Sequence, residues 1–175
     1  EADKNNKEPK KFCDEISQTF RSLTSILNLS NDDFIRTTES RHLKSVIEIW
    51  NRLIKSGDIY LGKYSGWYSV SDEAYYDSDE IEEKSGKKLS KVSGSTVEWV
   101  EEESYFFKLS AFQKKLLEHY KKNEDFILPH SRKNEVVKFV EKGLKDLSVS
   151  RTSFSWGIQV PENKKHIIYV WLDAL

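Results

Sequence analysis

From Pro9 to Leu29 the apolar residues Phe12, Ile16, Phe20, Leu23 and Leu27 recur at intervals of three and four. That spacing lines one face of an α-helix, and Pro9 suits a first helical turn because it has no N–H to leave unpaired. Phe34 to Thr38 has strand character. Leu43, Val46, Ile47, Trp50, Leu53 and Ile54 then restore the helical period until Gly57 offers a cap. The order helix, strand, helix predicts an α/β layer in which helices cover a parallel sheet.

At Asp58 the texture changes. Ile59 to Val70 is rich in aromatic residues and glycine, with apolar and polar positions roughly alternating, and short antiparallel strands are predicted there. Asp77 to Ser95 is charged and small, with Gly86 and Gly94, and reads as a surface loop. Thr96 to Val100 and Tyr105 to Leu109 read as two more strands, so residues 58–109 form a β-rich insert within an α/β chain. Beyond it, Ser110 with Gln113 makes a capping-box pattern for a helix over 110–122. Ser131 can cap another, lined by Val136, Val137, Val140 and Leu144. His166 to Leu172 is continuously apolar after its first residue, as expected of a central parallel strand covered on both faces. The expected organisation is therefore 1–57 and 110–175 as two parts of one α/β domain, with 58–109 between them.

Composition narrows the functional classes. With 175 residues, 37% of them apolar, a chain can bury roughly 70% of its extended surface without disulfides or structural metals. Its 28 basic and 29 acidic side chains leave a net charge of −1, which argues against gripping nucleic acid by charge alone and against DNA as a partner. The single Cys13 can build neither an internal disulfide nor a cysteine metal site, pointing to a reducing compartment, with cytoplasm the expectation. The longest apolar run, Ile167 to Leu172, is far short of the roughly 20 residues that span a bilayer, so a membrane role is not expected. A chain with no methionine that begins on Glu1 is expected to be a piece of a longer protein.

No Walker loop, G-x-G-x-x-G, H-E-x-x-H or G-x-S-x-G is present, and His42, His119, His130 and His166 are far apart in sequence. Glu101-Glu102-Glu103 reads as a solvated edge rather than a metal site, since neighbours on a strand face opposite ways. Lys84, Lys87, Lys88 and Lys91 either touch phosphate or simply solvate a loop. The aromatic cluster Tyr60, Tyr64, Trp67, Tyr68, Tyr75 and Tyr76 either stacks on unpaired bases or packs a small β subdomain. Arg151 stands in a polar connection, where its permanent charge can neutralise phosphate or carboxylate oxygens or form a structural salt bridge. Trp171 ends the last apolar segment just before Asp173, where it can wall a ligand pocket or fill the core.

The strings FIRTTESRH (34–42), YSGWYSVSDEAYY (64–76), VEWVEEESYFFKLSAFQ (97–113), SRTSFSWGIQVP (150–161) and YVWLDAL (169–175) closely resemble the methionyl-tRNA synthetase family of class I aminoacyl-tRNA synthetases. The resemblance extends over nearly the whole chain. It implies a nucleotide-binding, Rossmann-like α/β catalytic domain split by a connective peptide, with 58–109 in the place of that insert. It also implies an enzyme that joins methionine to ATP, giving methionyl-adenylate and pyrophosphate, and then charges tRNA(Met), with Mg²⁺ in both steps. Arg151 matches an arginine implicated in activation. Trp171 matches a tryptophan of the methionine pocket, whose wall Ala174 and Leu175 continue. Residues 58–109 contain no Cys, so the resemblance is to the zinc-free branch and no metal is expected. The two short ATP-holding motifs of class I enzymes are absent, so this segment alone is not expected to catalyse the reaction. The rival expectation is a non-catalytic tRNA-binding or assembly module that keeps a synthetase-like fold.

Overall fold

Pro9 opens the first helix, α1 (Pro9–Ile26), as its lack of a donor predicts. The Glu8 carboxylate caps it, accepting from the backbone N–H of Lys10 at 2.9 Å and of Lys11 at 2.8 Å. The structure is a computed structural model that describes all residues except Glu73, Ser85 and Leu175, and Tyr64 by its backbone alone. It divides into two units, Glu1–Glu48 and Ile49–Leu175.

In the first unit the connection after α1 forms no strand. Residues 34–36 are irregular and lead through a turn at Thr37–Thr38 into α2 (Ser40–Ser56). The strand expected at Phe34 to Thr38 has no neighbour among the described residues to share a ladder with; side chains hold it instead. Arg36 pairs with Asp14 at 2.7 Å, Arg41 donates to Asp33 at 2.9 Å, and the Arg21 guanidinium lies over the Phe34 ring. The bond to Arg41 holds the Asp33 carboxyl down at about 2.

In the second unit the predicted short strands between 58 and 70 are one long strand, β1 (Ile59–Ser69). It pairs antiparallel with β5 (Glu98–Phe107), from Ile59↔Phe107 to Tyr68↔Glu98. β2 (Ala74–Tyr76) adds to the outer edge of β1, and β6 (Leu147–Ser148) to that of β5, giving the order β2-β1-β5-β6. Aromatic pairs cross this sheet: Tyr60 stacks on Phe106, Trp67 meets Trp99 edge-on and Tyr68 meets Tyr75. Packing therefore accounts for these rings of the aromatic cluster.

Part of the charged stretch expected to be a loop is a hairpin, β3 (Ile81–Lys84) with β4 (Lys87–Ser90). Gly86 supplies the positive φ of +74° that a tight turn needs. Asp72 ties this region together, accepting from the hydroxyls of Tyr76 and Ser95, each at 2.8 Å, and of Ser93. Those donors, Ser93 first, hold its carboxyl at about 2.

After β5 a 3₁₀ turn at Leu109–Phe112 leads into α3 (Gln113–Lys122), and α4 is His130–Glu141. The capping box is not formed: the Ser110 backbone N–H donates to Asp146 and the Gln113 side-chain Oε1 accepts from Leu144 N–H. Pro129, not Ser131, precedes α4. The expected central parallel strand at 166–172 is also corrected. Only Ile167–Ile168 (β8) is strand, and it pairs antiparallel with β7 (Ser150–Arg151). The chain then turns into a short helix, α5 (Val170–Asp173). Apolar continuity fixed neither strand length nor burial there: Ile167 and Ile168 are buried, while Val170 and Trp171 are exposed. Every ladder among the described residues is antiparallel, so no parallel sheet is present among them. No helix among them is long and apolar enough to cross a membrane.

Candidate functional site

The site begins where β5 passes its ladder to the chain returning at 147–151. Phe107 faces Leu147 and Phe106 faces Ser148; Val149 N–H then donates to the Tyr105 carbonyl at 2.8 Å. Val149, Val160, Ile167 and Ile168 are buried around this crossing, each contributing about 1.5–3 kcal/mol relative to exposure. The ladder changes partner at Ser150, which faces Ile168, and at Arg151, which faces Ile167. Arg151 is thereby drawn inside to 6% exposure.

Its Nη1 donates to Ser148 Oγ at 2.6 Å and to the Ser150 carbonyl at 2.7 Å. The guanidinium carbon sits 3.8 Å from the Tyr169 ring centroid and 5.8 Å from that of Tyr75, a cation held over aromatic faces. No carboxylate among the described residues pairs with it, so the structural salt bridge is not formed there. Thr152, the next residue, is pinned by the Glu102 carboxylate, which accepts from its N–H at 2.6 Å and from its hydroxyl.

Tyr169 joins this cation to the end of the chain. Its N–H donates to the Val149 carbonyl at 2.9 Å, and its own carbonyl accepts from Leu172 at 2.9 Å and Asp173 at 3.0 Å, starting α5. Trp171 lies in that turn, its ring 6.3 Å from the Tyr169 ring and steeply inclined to it. At 47% exposure Trp171 does not fill the core. Ala174 caps α5 and is exposed. Leu175 lies outside the described residues. Arg151 and Trp171, 20 positions apart in sequence, thus both contact one tyrosine. An open cleft of about 450 Å³ begins at Thr152 and is lined by Phe154, Gln159, Lys164, Lys165 and Ile167.

Sequence reasoning passed over Tyr169 and a buried polar cluster beside Arg151. His166, 1% exposed, reaches Ser150 Oγ with Nδ1 at 3.0 Å and Glu103 with Nε2 at 3.4 Å. Ser104 Oγ lies 2.7 Å from Ser148 Oγ and donates to the Ser150 carbonyl at 3.0 Å. The available signal was Ser148-Val149-Ser150 with Val149 buried between two serines, the period of an extended segment with a polar and an apolar face. Burial raises the nearby Tyr105 phenol. Among the described residues no three His, Cys, Asp or Glu side chains converge as metal ligands.

Comparison with known proteins places these residues in a lineage. The methionine–tRNA ligase of Rickettsia typhi is 59% identical over 170 residues, 97% of this chain and 33% of that protein. The Brucella suis enzyme is 54% identical over 95% of the chain and 32% of its own length. The chain thus spans about a third of the length of the curated relatives it matches. Among solved structures, Mycobacterium tuberculosis methionyl-tRNA synthetase in complex with methionyl-adenylate superposes with a TM-score of 0.87 at 47% identity, over 99% of this chain and 34% of that one. Its apo form gives 0.79 at 49% identity, over 95% and 34%. The family model described as tRNA synthetases class I (M) matches residues 1–88 and 79–175, and the chain accordingly belongs to that family.

Proposed function

We propose that this chain is the part of a methionine–tRNA ligase that contributes Arg151 to methionine activation and Trp171 to methionine binding. The methionine carboxylate attacks the α-phosphate of ATP, giving methionyl-adenylate and pyrophosphate, and methionine then passes to tRNA(Met). Mg²⁺ enters with ATP as part of the substrate, and no step requires zinc from this segment. Arg151 offsets charge on the phosphates as it shifts in the transition state, acting from a site where water is largely excluded. Trp171 presents a half-exposed ring to the methionine thioether, a soft contact suited to sulfur, and Ala174 and Leu175 continue that wall. The similar Mycobacterium tuberculosis enzyme, captured with methionyl-adenylate, supports this assignment of ligand.

In this reading residues 1–57 and 110–175 are two parts of a Rossmann-like catalytic domain and 58–109 is the connective-peptide insert. The pairing of Ile59 with Phe107 supports that division, because an excursion that leaves and returns side by side can interrupt a domain without displacing it. The enzyme works in the cytoplasm, and the segment alone is inactive.

Arg151 carries the proposal. It is a buried guanidinium with only Nη1 donating among the described residues, fixed by neutral oxygens and an aromatic face instead of a carboxylate. Its charge remains available to a ligand. ATP–pyrophosphate exchange by the full-length enzyme tests this: Arg151→Ala should lower the rate about 10²- to 10³-fold, as loss of a transition-state donor does. An unchanged rate would remove Arg151 from the mechanism.

A further inference from the structure

The buried cluster behind Arg151 is continuous and has a direction. Arg151 Nη1–H donates to Ser148 Oγ, so the Ser148 hydroxyl proton must point elsewhere, and Ser104 Oγ at 2.7 Å is its nearest acceptor. Ser104 in turn donates to the Ser150 carbonyl at 3.0 Å, the oxygen that also takes the second Arg151 bond. Ser150 is gripped from the other side too. Its Oγ accepts the Tyr105 N–H at 2.9 Å, which leaves its own proton for His166 Nδ1 at 3.0 Å. Nε2–H of the same ring is then directed at Glu103, where the contact is 3.4 Å. The shortest contacts thus run from the guanidinium at one end to a carboxylate at the other, with longer contacts among the serines beside them. The His166 ring is locked by burial and by Tyr105, edge-on at 5.1 Å.

Two-residue strands give such a segment little rigidity of their own, since β7 and β8 share only two pairs. The side chains supply what the ladder does not. We propose that His166, Ser150, Ser104 and Ser148 form a positioning chain for Arg151, so that His166, which lies behind the site, tunes the activation step without touching substrate. The proposal rests on the reading of Arg151 given above. The chain sets where Nη1 points over the Tyr169 ring, and displacements of about 1 Å in a positioned group can cost 10²-fold in rate.

The test is ATP–pyrophosphate exchange in the full-length enzyme, with thermal unfolding recorded for each variant. Ser148→Ala removes the hydroxyl nearest the guanidinium from a half-buried position. It should lower exchange kcat about tenfold while KM for methionine stays within about twofold, because transition-state contacts are lost and ground-state binding is not. In an Arg151→Ala background the same change should have no further effect. At His166, Asn can reproduce the Nδ1 contact to Ser150 and Gln the Nε2 contact to Glu103, so His166→Asn should retain most of the rate and His166→Gln should fall like Ser148→Ala. If Arg151→Ala slows exchange while Ser148→Ala and both His166 variants are silent, the chain does not position Arg151 and only this inference falls. Additive effects of Ser148→Ala and Arg151→Ala overturn it equally. If Arg151→Ala is itself silent, the role of Arg151 falls and the positioning chain with it. Should the His166 variants unfold, the Ser148–Arg151 cycle decides alone.

Discussion

Two hydroxyl-rich knots stabilise the second unit, and they are built with opposite charges at their centres. Beside the hairpin at 81–90, Asp72 takes hydrogen bonds from Tyr76, Ser93 and Ser95. In the crossing at 147–151, Arg151 gives two, both from one nitrogen, to Ser148 and Ser150. The anion is surrounded by donors and its capacity is consumed internally. The cation has five N–H groups to give and spends few of them, resting its face on Tyr169 instead. A charge satisfied from all sides holds structure together, whereas one held by its edge and face remains able to bind. The contrast makes the first knot architectural and leaves the second with the unspent donors that the proposed role of Arg151 requires.

Exchanging the two measurements is the strongest way to break that contrast. Arg151→Ala should cost about 10²- to 10³-fold in exchange with a modest change in unfolding temperature. Asp72→Ala should lower the unfolding temperature and leave exchange near its original rate. The acid limb offers a second reading of the same knot. The folded carboxyl of Asp72 sits at about 2 against an ordinary value of 3.8, so its contribution is complete above about pH 4 and is lost as pH falls towards 2. Asp72→Asn should flatten that part of the stability profile. An unchanged acid limb would mean that the bonds to Ser93, Ser95 and Tyr76 do not stabilise this region.

Trp171 comes next in size. Removing its ring should raise KM for methionine about tenfold, the discrimination a single apolar contact of this kind supplies, with kcat less affected. A KM unchanged in a folded variant would leave only Arg151 at the site.

Much of this architecture was legible in the chain. The three-and-four spacing located α1 and α2 to within a few residues, because the pattern extends far enough to show a period; the two strands expected at Thr96–Val100 and Tyr105–Leu109 are instead one, β5, which runs through the acidic residues Glu101–Glu103 between them. What failed was short or supported by side chains. Ile167 to Leu172 looks like a buried strand of six residues, yet only Ile167 and Ile168 pair, since an apolar run carries no period to separate strand from turn. The hairpin at 81–90 was hidden because its strands are polar. Arg151 and Trp171 stood out as isolated residues, and resemblance gave them roles. Their meeting at Tyr169, and the serines behind Arg151, arise from segments some 45 residues apart and leave no motif.

Gly157 shows how the crossing depends on a backbone position. Its φ of +136° is one that other L-residues rarely adopt, and a Cβ there would stand 2.5 Å from Ile167 Cγ2 on β8. Gly157→Ala should therefore cost about 1–3 kcal/mol, read as a fall in unfolding temperature. Because Ile167 faces Arg151 across the ladder, exchange should slow as well. A fall in stability with full exchange activity would show that Arg151 tolerates movement of its partner strand.

The smallest effect is expected at Lys84, a cation of the opposite kind from Arg151. It projects from β3 with its side chain 65% exposed and pairs with Glu82 at 2.6 Å. Its neighbours are treated alike: Lys88 lies 3.7 Å from Glu83 and over the Trp67 ring, and Lys91 donates to the Asp79 carbonyl. Each of these three lysines has a local partner, which favours a solvated surface over a phosphate site. Exposed pairs of this kind contribute about 0–1 kcal/mol and weaken in salt. Lys84→Ala should shift stability by less than about 0.5 kcal/mol and leave aminoacylation of tRNA unchanged at low and moderate salt. A salt-dependent loss of tRNA charging would move this cluster from the architectural side of the comparison to the functional one.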